Sequence, residues 1–197
     1  MANLEKGEMY KKTIQRYNAA YKNGFYFECI LLVYSLLEDR FTDFFVKTEF
    51  ATKNNGTVEF KRNRKSDLSE LGISGNRCSL DKLCNKINMV KALIEKSSES
   101  IQFKSLYLQA ALNVIRRNNF QNVLTDSFFA DVDAWRIKRN GIIHGLLNKK
   151  KDIFDSLDVF VDNGFTLFRT FDRCVNKLKD KTKTEIAKLN KQLRNKK

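Results

Sequence analysis

Apolar residues recur at spacings of three and four along most of the chain, the pattern of helices that each bury one face. A first predicted helix, residues 4–22, carries Met9, Tyr10, Ile14, Tyr17 and Tyr21, and Asn23-Gly24 supplies its stop. A second, residues 25–50, sets Phe27, Ile30, Leu31, Tyr34, Leu37, Phe41, Phe44 and Phe45 on one broad face, as a central core helix would. The periodicity collapses over residues 51–79, which are expected to be an irregular basic insertion. It resumes over residues 80–96, 101–117 and 127–148, and a last predicted helix runs from residue 154 onward. Beyond Leu178 that helix loses its apolar face and keeps only Ile186, Leu189 and Leu193. The 179–197 stretch is then either a weak amphipathic helix against a partner or a frayed basic tail.

The expected fold is a single all-α domain over residues 1–197, an antiparallel bundle of five or six helices. The chain has no proline and eight glycines, so it lacks the turn punctuation of an all-β fold. Composition adds a direction. A formal net charge of +14 favours a polyanionic partner, with nucleic acid or an anionic membrane surface as the natural counterparts. No run approaches the length of a membrane span, and M-A-N-L-E-K-G-E is not a hydrophobic signal, so a cytoplasmic protein without membrane attachment is expected. Cys29, Cys78, Cys84 and Cys174 have no C-x-x-C spacing, and one histidine cannot complete a standard zinc cluster. They read as reduced thiols, and no metal or cofactor is expected.

That one histidine is the chain's best candidate for chemistry. His144 closes the hexapeptide R-N-G-I-I-H, five residues after Arg139. On a helix Arg136, Asn140 and His144 fall on one stripe, able to address one ligand, while Arg139 points into the apolar face among Phe128, Val132, Trp135 and Ile143. A charged group there needs a carboxylate partner or a polar cleft between subunits. Glu38 lies in the apolar stripe of the second helix, so an Arg139–Glu38 pair is expected to join the two helices; the competing reading rotates both to a solvated bundle edge. Lys138 and the cluster Lys61, Arg62, Arg64 and Lys65 are candidate phosphate contacts, and a solvated loop without a ligand is the alternative for that cluster.

Arg139, Asn140 and His144, with the earlier S-L-L-E-D-R segment at residues 35–40, resemble the HEPN superfamily, whose ribonucleases carry an R-x4-6-H motif on a late helix of a helical bundle. The resemblance covers the bundle pattern from about residue 10 to 178, and its specific part is six residues. It implies a metal-independent endoribonuclease that brings two motifs together in a homodimer. His144 would shuttle the proton of the attacking ribose 2′-OH or the leaving 5′-oxygen, Arg139 would stabilise the phosphorane, and Asn140 would orient His144 or a phosphate oxygen. Toxin and phage-defence roles belong to the same superfamily, with an antitoxin or a regulatory protein or RNA as a possible further partner. Gly145 and Leu146 stand where some toxin members carry the x-Tyr extension, so neutralisation by modification of that tyrosine is not supported. The alternative reading is a non-catalytic basic helical module for RNA or protein, with His144 as a packing residue.

Overall fold

In a computed structural model of the chain, which describes residues 2–54, 57–147, 156–178 and 180–195, helices α1 (Ala2–Lys22) and α2 (Tyr26–Lys47) lead into strands β1 (Ala51–Asn54) and β2 (Thr57–Phe60). A six-residue helix α3 (Arg64–Ser69) follows, then α4 (Leu83–Ser97), α5 (Leu106–Arg117), α6 (Asp126–Leu147), α7 (Leu157–Asn176) and α8 (Lys181–Arg194). The class is mostly helical, as the periodicity predicts, with more helices than the five or six expected. The difference arises at two places. Residues 51–79 hold ordered elements where an irregular insertion is expected, and the last predicted helix is two.

The hairpin forms because β2 alternates: Val58 and Phe60 are half-buried while Thr57 and Glu59 are exposed. Ala51 pairs with Phe60 and Asn54 with Thr57, and Phe60 meets Phe45 of α2 edge-on at 6.4 Å. Helix α7 ends at Asn176, and α8 starts separately after Asp180, whose left-handed backbone, φ 57°, does not continue a helix. The predicted helix limits at Asn148 and Phe154 lie outside the described residues, as do Asn55, Gly56, Lys179 and the final two lysines.

Helix α2 is the core helix: Ile30, Leu37, Phe41, Phe44 and Phe45 of its expected face are fully buried and Val33 joins them, whereas Leu31 is 49% exposed. Helix α7 runs along it, with Phe171 stacked on Phe41 at 4.1 Å. Arg40, also buried, is neutralised by Asp39, Asp43 and Asp172 and lies over the Tyr10 ring at 4.5 Å. Helix α6, which carries Arg139 and His144, packs on α4 and α7. Its anchor is Trp135, stacked on Phe160 at 5.0 Å and donating its indole N–H to the Phe160 carbonyl at 2.9 Å. Gly164 of α7 makes room for that ring, since a Cβ there would stand 2.4 Å from the indole. A glycine inside a helical run thus marks close packing.

Candidate functional site

Helix α6 is regular from Asp126 to Leu147, so its side chains can be placed by rotation alone. Trp135, Val132 and Phe128 are buried on one side, with Arg139 among them and half-buried. Five residues on, His144 lies about 140° around the axis and is exposed. Arg136 and Asn140, both half-buried, fill the arc between them. The result is a polar edge that runs from the interior to the surface.

Each member of this edge has definable surroundings. Arg139 does not pair with Glu38. Its guanidinium lies over the Tyr34 ring of α2 at 4.2 Å, and Nη1 donates to Asn140 Oδ1 at 3.1 Å. Its Nε is buried without a hydrogen-bond partner, and no carboxylate bridges to Arg139 among the described residues. Glu38 is taken by another cation: Lys86 of α4, only 4% exposed, reaches Glu38 Oε1 at 3.4 Å and Thr42 Oγ1 at 2.9 Å. The physical reason is the cost of burial. A nearly dry ammonium has to have an anion, whereas a guanidinium is more weakly hydrated and is satisfied in part by an aromatic face. Tyr34 is therefore the link between α2 and the motif helix that the sequence reading assigned to Glu38. Burial first, and then Glu38, push its phenol above the ordinary value, against the nearby Arg139 and Arg136. The available signal was a tyrosine one turn before the acid on the same arc.

The other candidate cations divide in two. Arg136 is bound within its own helix, with Nη2 and Nε each 2.8 Å from Asp133 Oδ1. Lys138 is exposed, with its ammonium 5.3 Å from the Phe160 ring centroid. In the 61–65 cluster, Arg64 is a structural residue rather than a surface phosphate contact. It is paired with Asp67, stacked 3.3 Å over Tyr107, and its side chain is 11% exposed. Lys61 is bonded to Glu49 and keeps 38% of its side chain exposed, while Arg62 and Lys65 are exposed. The structure does not bring this cluster onto α6.

The outer face of α6 has a second pattern, absent from the sequence reading. Ala130, Ala134, Ile137, Gly141 and His144 follow one another at alternating spacings of four and three, and all are exposed. Ile137 is 57% exposed, a large apolar side chain on an otherwise small-residue stripe. Such spacing is that of a helix-packing seam, and His144 sits at its end. Among the described residues, no group of three or more His, Cys, Asp or Glu side chains could hold a metal ion, and no helix is long and apolar enough to cross a membrane. Comparison with protein-family models, with curated proteins and with solved structures finds no match to this chain.

Proposed function

We propose that this chain is a metal-independent endoribonuclease acting through Arg139, Asn140 and His144 at a site shared by two copies of α6. The observation that carries the reading is the polar edge itself: a guanidinium that no carboxylate bridges among the described residues reaches Asn140, and an exposed imidazole stands one turn beyond. An arginine paired to an acid has its charge spent, whereas Arg139 keeps its charge for a phosphate. The stripe that ends in His144 supports the dimer. Association along Ile137 and Gly141 covers an exposed apolar side chain and sets His144 beside the seam, where a second copy's motif can reach the same phosphate.

The chemistry follows from what these groups can do. Imidazole takes the 2′-hydroxyl proton as that oxygen attacks phosphorus, and the imidazolium so formed gives a proton to the 5′-oxygen as its bond to phosphorus breaks. The products are a 2′,3′-cyclic phosphate and a 5′-hydroxyl. Guanidinium supplies donors to the oxygens that gain charge between these states. Asn140 holds the guanidinium in place and, from the same helical stripe, steers the imidazole.

A second reading has one observation in its favour. Arg139 on Tyr34 is also a clamp between α6 and α2, as in a non-catalytic basic module that binds RNA or a protein partner. Purified protein incubated with mixed RNA in EDTA separates the two. Cleavage that His144→Ala and Arg139→Ala each abolish, in proteins that remain folded and of unchanged mass in solution, supports the ribonuclease. A substrate with one 2′-deoxy at the cut site is expected to resist; its cleavage at the all-ribose rate removes the 2′-OH, and with it this role of His144. A toxin or phage-defence setting for such an activity is part of the same proposal, tested by growth arrest on expression of the wild type but not of His144→Ala.

A further inference from the structure

Among the described residues, three arginines lie over tyrosine rings: Arg40 on Tyr10 at 4.5 Å, Arg64 on Tyr107 at 3.3 Å and Arg139 on Tyr34 at 4.2 Å. Stacking uses the face of a guanidinium and leaves the N–H donors around its rim for other partners. What takes those donors separates the three. Arg40 has Asp39, Asp43 and Asp172, and Arg64 has Asp67. Arg139 has the neutral Asn140, and no carboxylate bridges to it among the described residues. Two of the stacks are closed ion pairs, and the third keeps its charge.

An acid stands beside the third stack. Glu38 follows Tyr34 by four residues on α2, which puts the two side chains on one face with Cβ atoms about 5–6 Å apart. Burial raises the Tyr34 phenol most, and next Glu38 raises it while Arg139 lowers it, so both charges stand close to that ring. Lys86 draws Glu38 the other way. Its ammonium comes from α4 and lies 3.4 Å from Glu38 Oε1 and 2.9 Å from Thr42 Oγ1. Thr42 is one turn beyond Glu38 on α2, so this contact holds the carboxylate along the helix and away from the Tyr34 stack. Lys86 is 4% exposed, whereas the Glu38 side chain is 35% exposed. The pair is therefore fixed by the buried ammonium, which cannot give up its carboxylate at low cost.

We infer that Lys86 is a positioning residue for Arg139: by holding Glu38 toward Thr42, it keeps the Arg139 guanidinium open to a phosphodiester. Lys86 touches no substrate in this role and acts through Glu38. The role rests on the ribonuclease reading only for Arg139 as a phosphate partner, and not for cleavage.

The test uses the full chain, isotope-labelled for nitrogen resonance, and a 2′-O-methyl uridine dinucleotide, whose single phosphodiester cannot be cut by 2′-OH attack. The Arg139 Nε–H signal, assigned by its loss in Arg139→Lys, is followed as the dinucleotide is added, and in the wild type it is expected to shift to saturation. Lys86→Met is expected to weaken this binding about five-fold, because Glu38 then competes for the guanidinium with the strength of an exposed ion pair. The same variant is expected to move the signal before any dinucleotide is added. Adding Glu38→Gln to Lys86→Met is expected to restore both the signal and the affinity, the latter to within about two-fold of the wild type. Lys82→Gln removes one charge from the exposed start of α4 and controls for charge alone, with a change below about two-fold expected. If Lys86→Met does not fold, Lys86→Gln, which keeps a donor for Thr42, carries the same expectation in direction. Wild-type affinity in the Lys86 variant, a loss that Glu38→Gln does not reverse, or an equal loss in Lys82→Gln overturns the proposal. So does a wild-type Arg139 signal that the dinucleotide leaves unmoved. Binding at Arg139 that depends on Lys86, in a protein that cuts no RNA, overturns the ribonuclease reading and leaves the role of Lys86 standing.

Discussion

Two helix pairs in this protein are held by opposite means. Between α6 and α7 the seam is dry and aromatic: Trp135 lies flat on Phe160, and Gly164 is cut back to let it in. Between α5 and α8 the residues of α8 that are buried are polar, Thr182 and Glu185, while Leu193 stays 55% exposed. An aromatic seam excludes water and tolerates little change in shape. A polar seam holds only while every charge keeps its partner, and so it responds to pH and to salt. The rigid pair carries the candidate chemistry on α6, and the responsive pair carries a groove of mixed charge lined by Arg117, Lys181, Asp180 and Glu185.

The sharpest way to break this comparison is at the indole. Trp135→Ala is expected to cost about 3–5 kcal/mol, because it empties the seam and leaves the Phe160 ring facing a void. Urea unfolding measures this, and a loss below about 1 kcal/mol would show that the α6–α7 seam does not anchor the motif helix. Next comes Gly164→Ala. A methyl that must sit 2.4 Å from the indole forces the helices apart, at a cost of about 1–3 kcal/mol. Reduced cleavage by this variant, with His144 untouched, would tie the seam to the site.

The polar seam predicts an asymmetry. Arg117→Ala leaves the Glu185 carboxylate buried with Asn113 alone, whereas Glu185→Gln leaves Arg117 on a surface where water can take it. The first is expected to cost about 1–3 kcal/mol and the second less. Hydrogen exchange confined to α8 in both variants would show that this helix opens by itself, and uniform exchange across the chain would contradict that.

Acid should act on the same helix. Burial by itself raises the Glu185 carboxyl, but hydrogen bonds from Arg117 and Asn113 more than reverse it, so its pKa lies below the ordinary value. A depressed folded pKa gives stability that is present above the unfolded carboxylate value and lost as pH falls through the folded one. Protection of α8 is therefore expected to fade from about pH 4 downward, and Glu185→Gln should remove that dependence. The smallest effect is expected at Tyr21, outside both seams. Its hydroxyl donates to Asp162 at 2.7 Å, and that bond above all, with burial second, pushes the phenol up to about 12. A raised folded pKa means this contribution is whole below the ordinary tyrosine value and lost as pH rises through 12. Tyr21→Phe should remove one late step from the alkaline absorbance titration.

What the sequence determined by itself is whatever depends on spacing along one helix. Alternating three- and four-residue apolar spacing set the helical class and the core face of α2, because burial of one face repeats with the helical turn. The same arithmetic put Arg139 on the inner face and His144 elsewhere. The hairpin at 51–60 was not read from the sequence, which was expected to be irregular there, because four residues per strand give too short a period to stand out. Only the tertiary structure decided which charge meets which. Glu38 was expected to meet Arg139 of α6, and its partner became Lys86 of α4 because the drier cation has the greater need. Arg64 was stacked on Tyr107 of α5, while Lys61 and Lys183, 122 positions apart, came together on Glu49. Pairings of this kind depend on how helices rotate and stack against one another, and no local spacing encodes that.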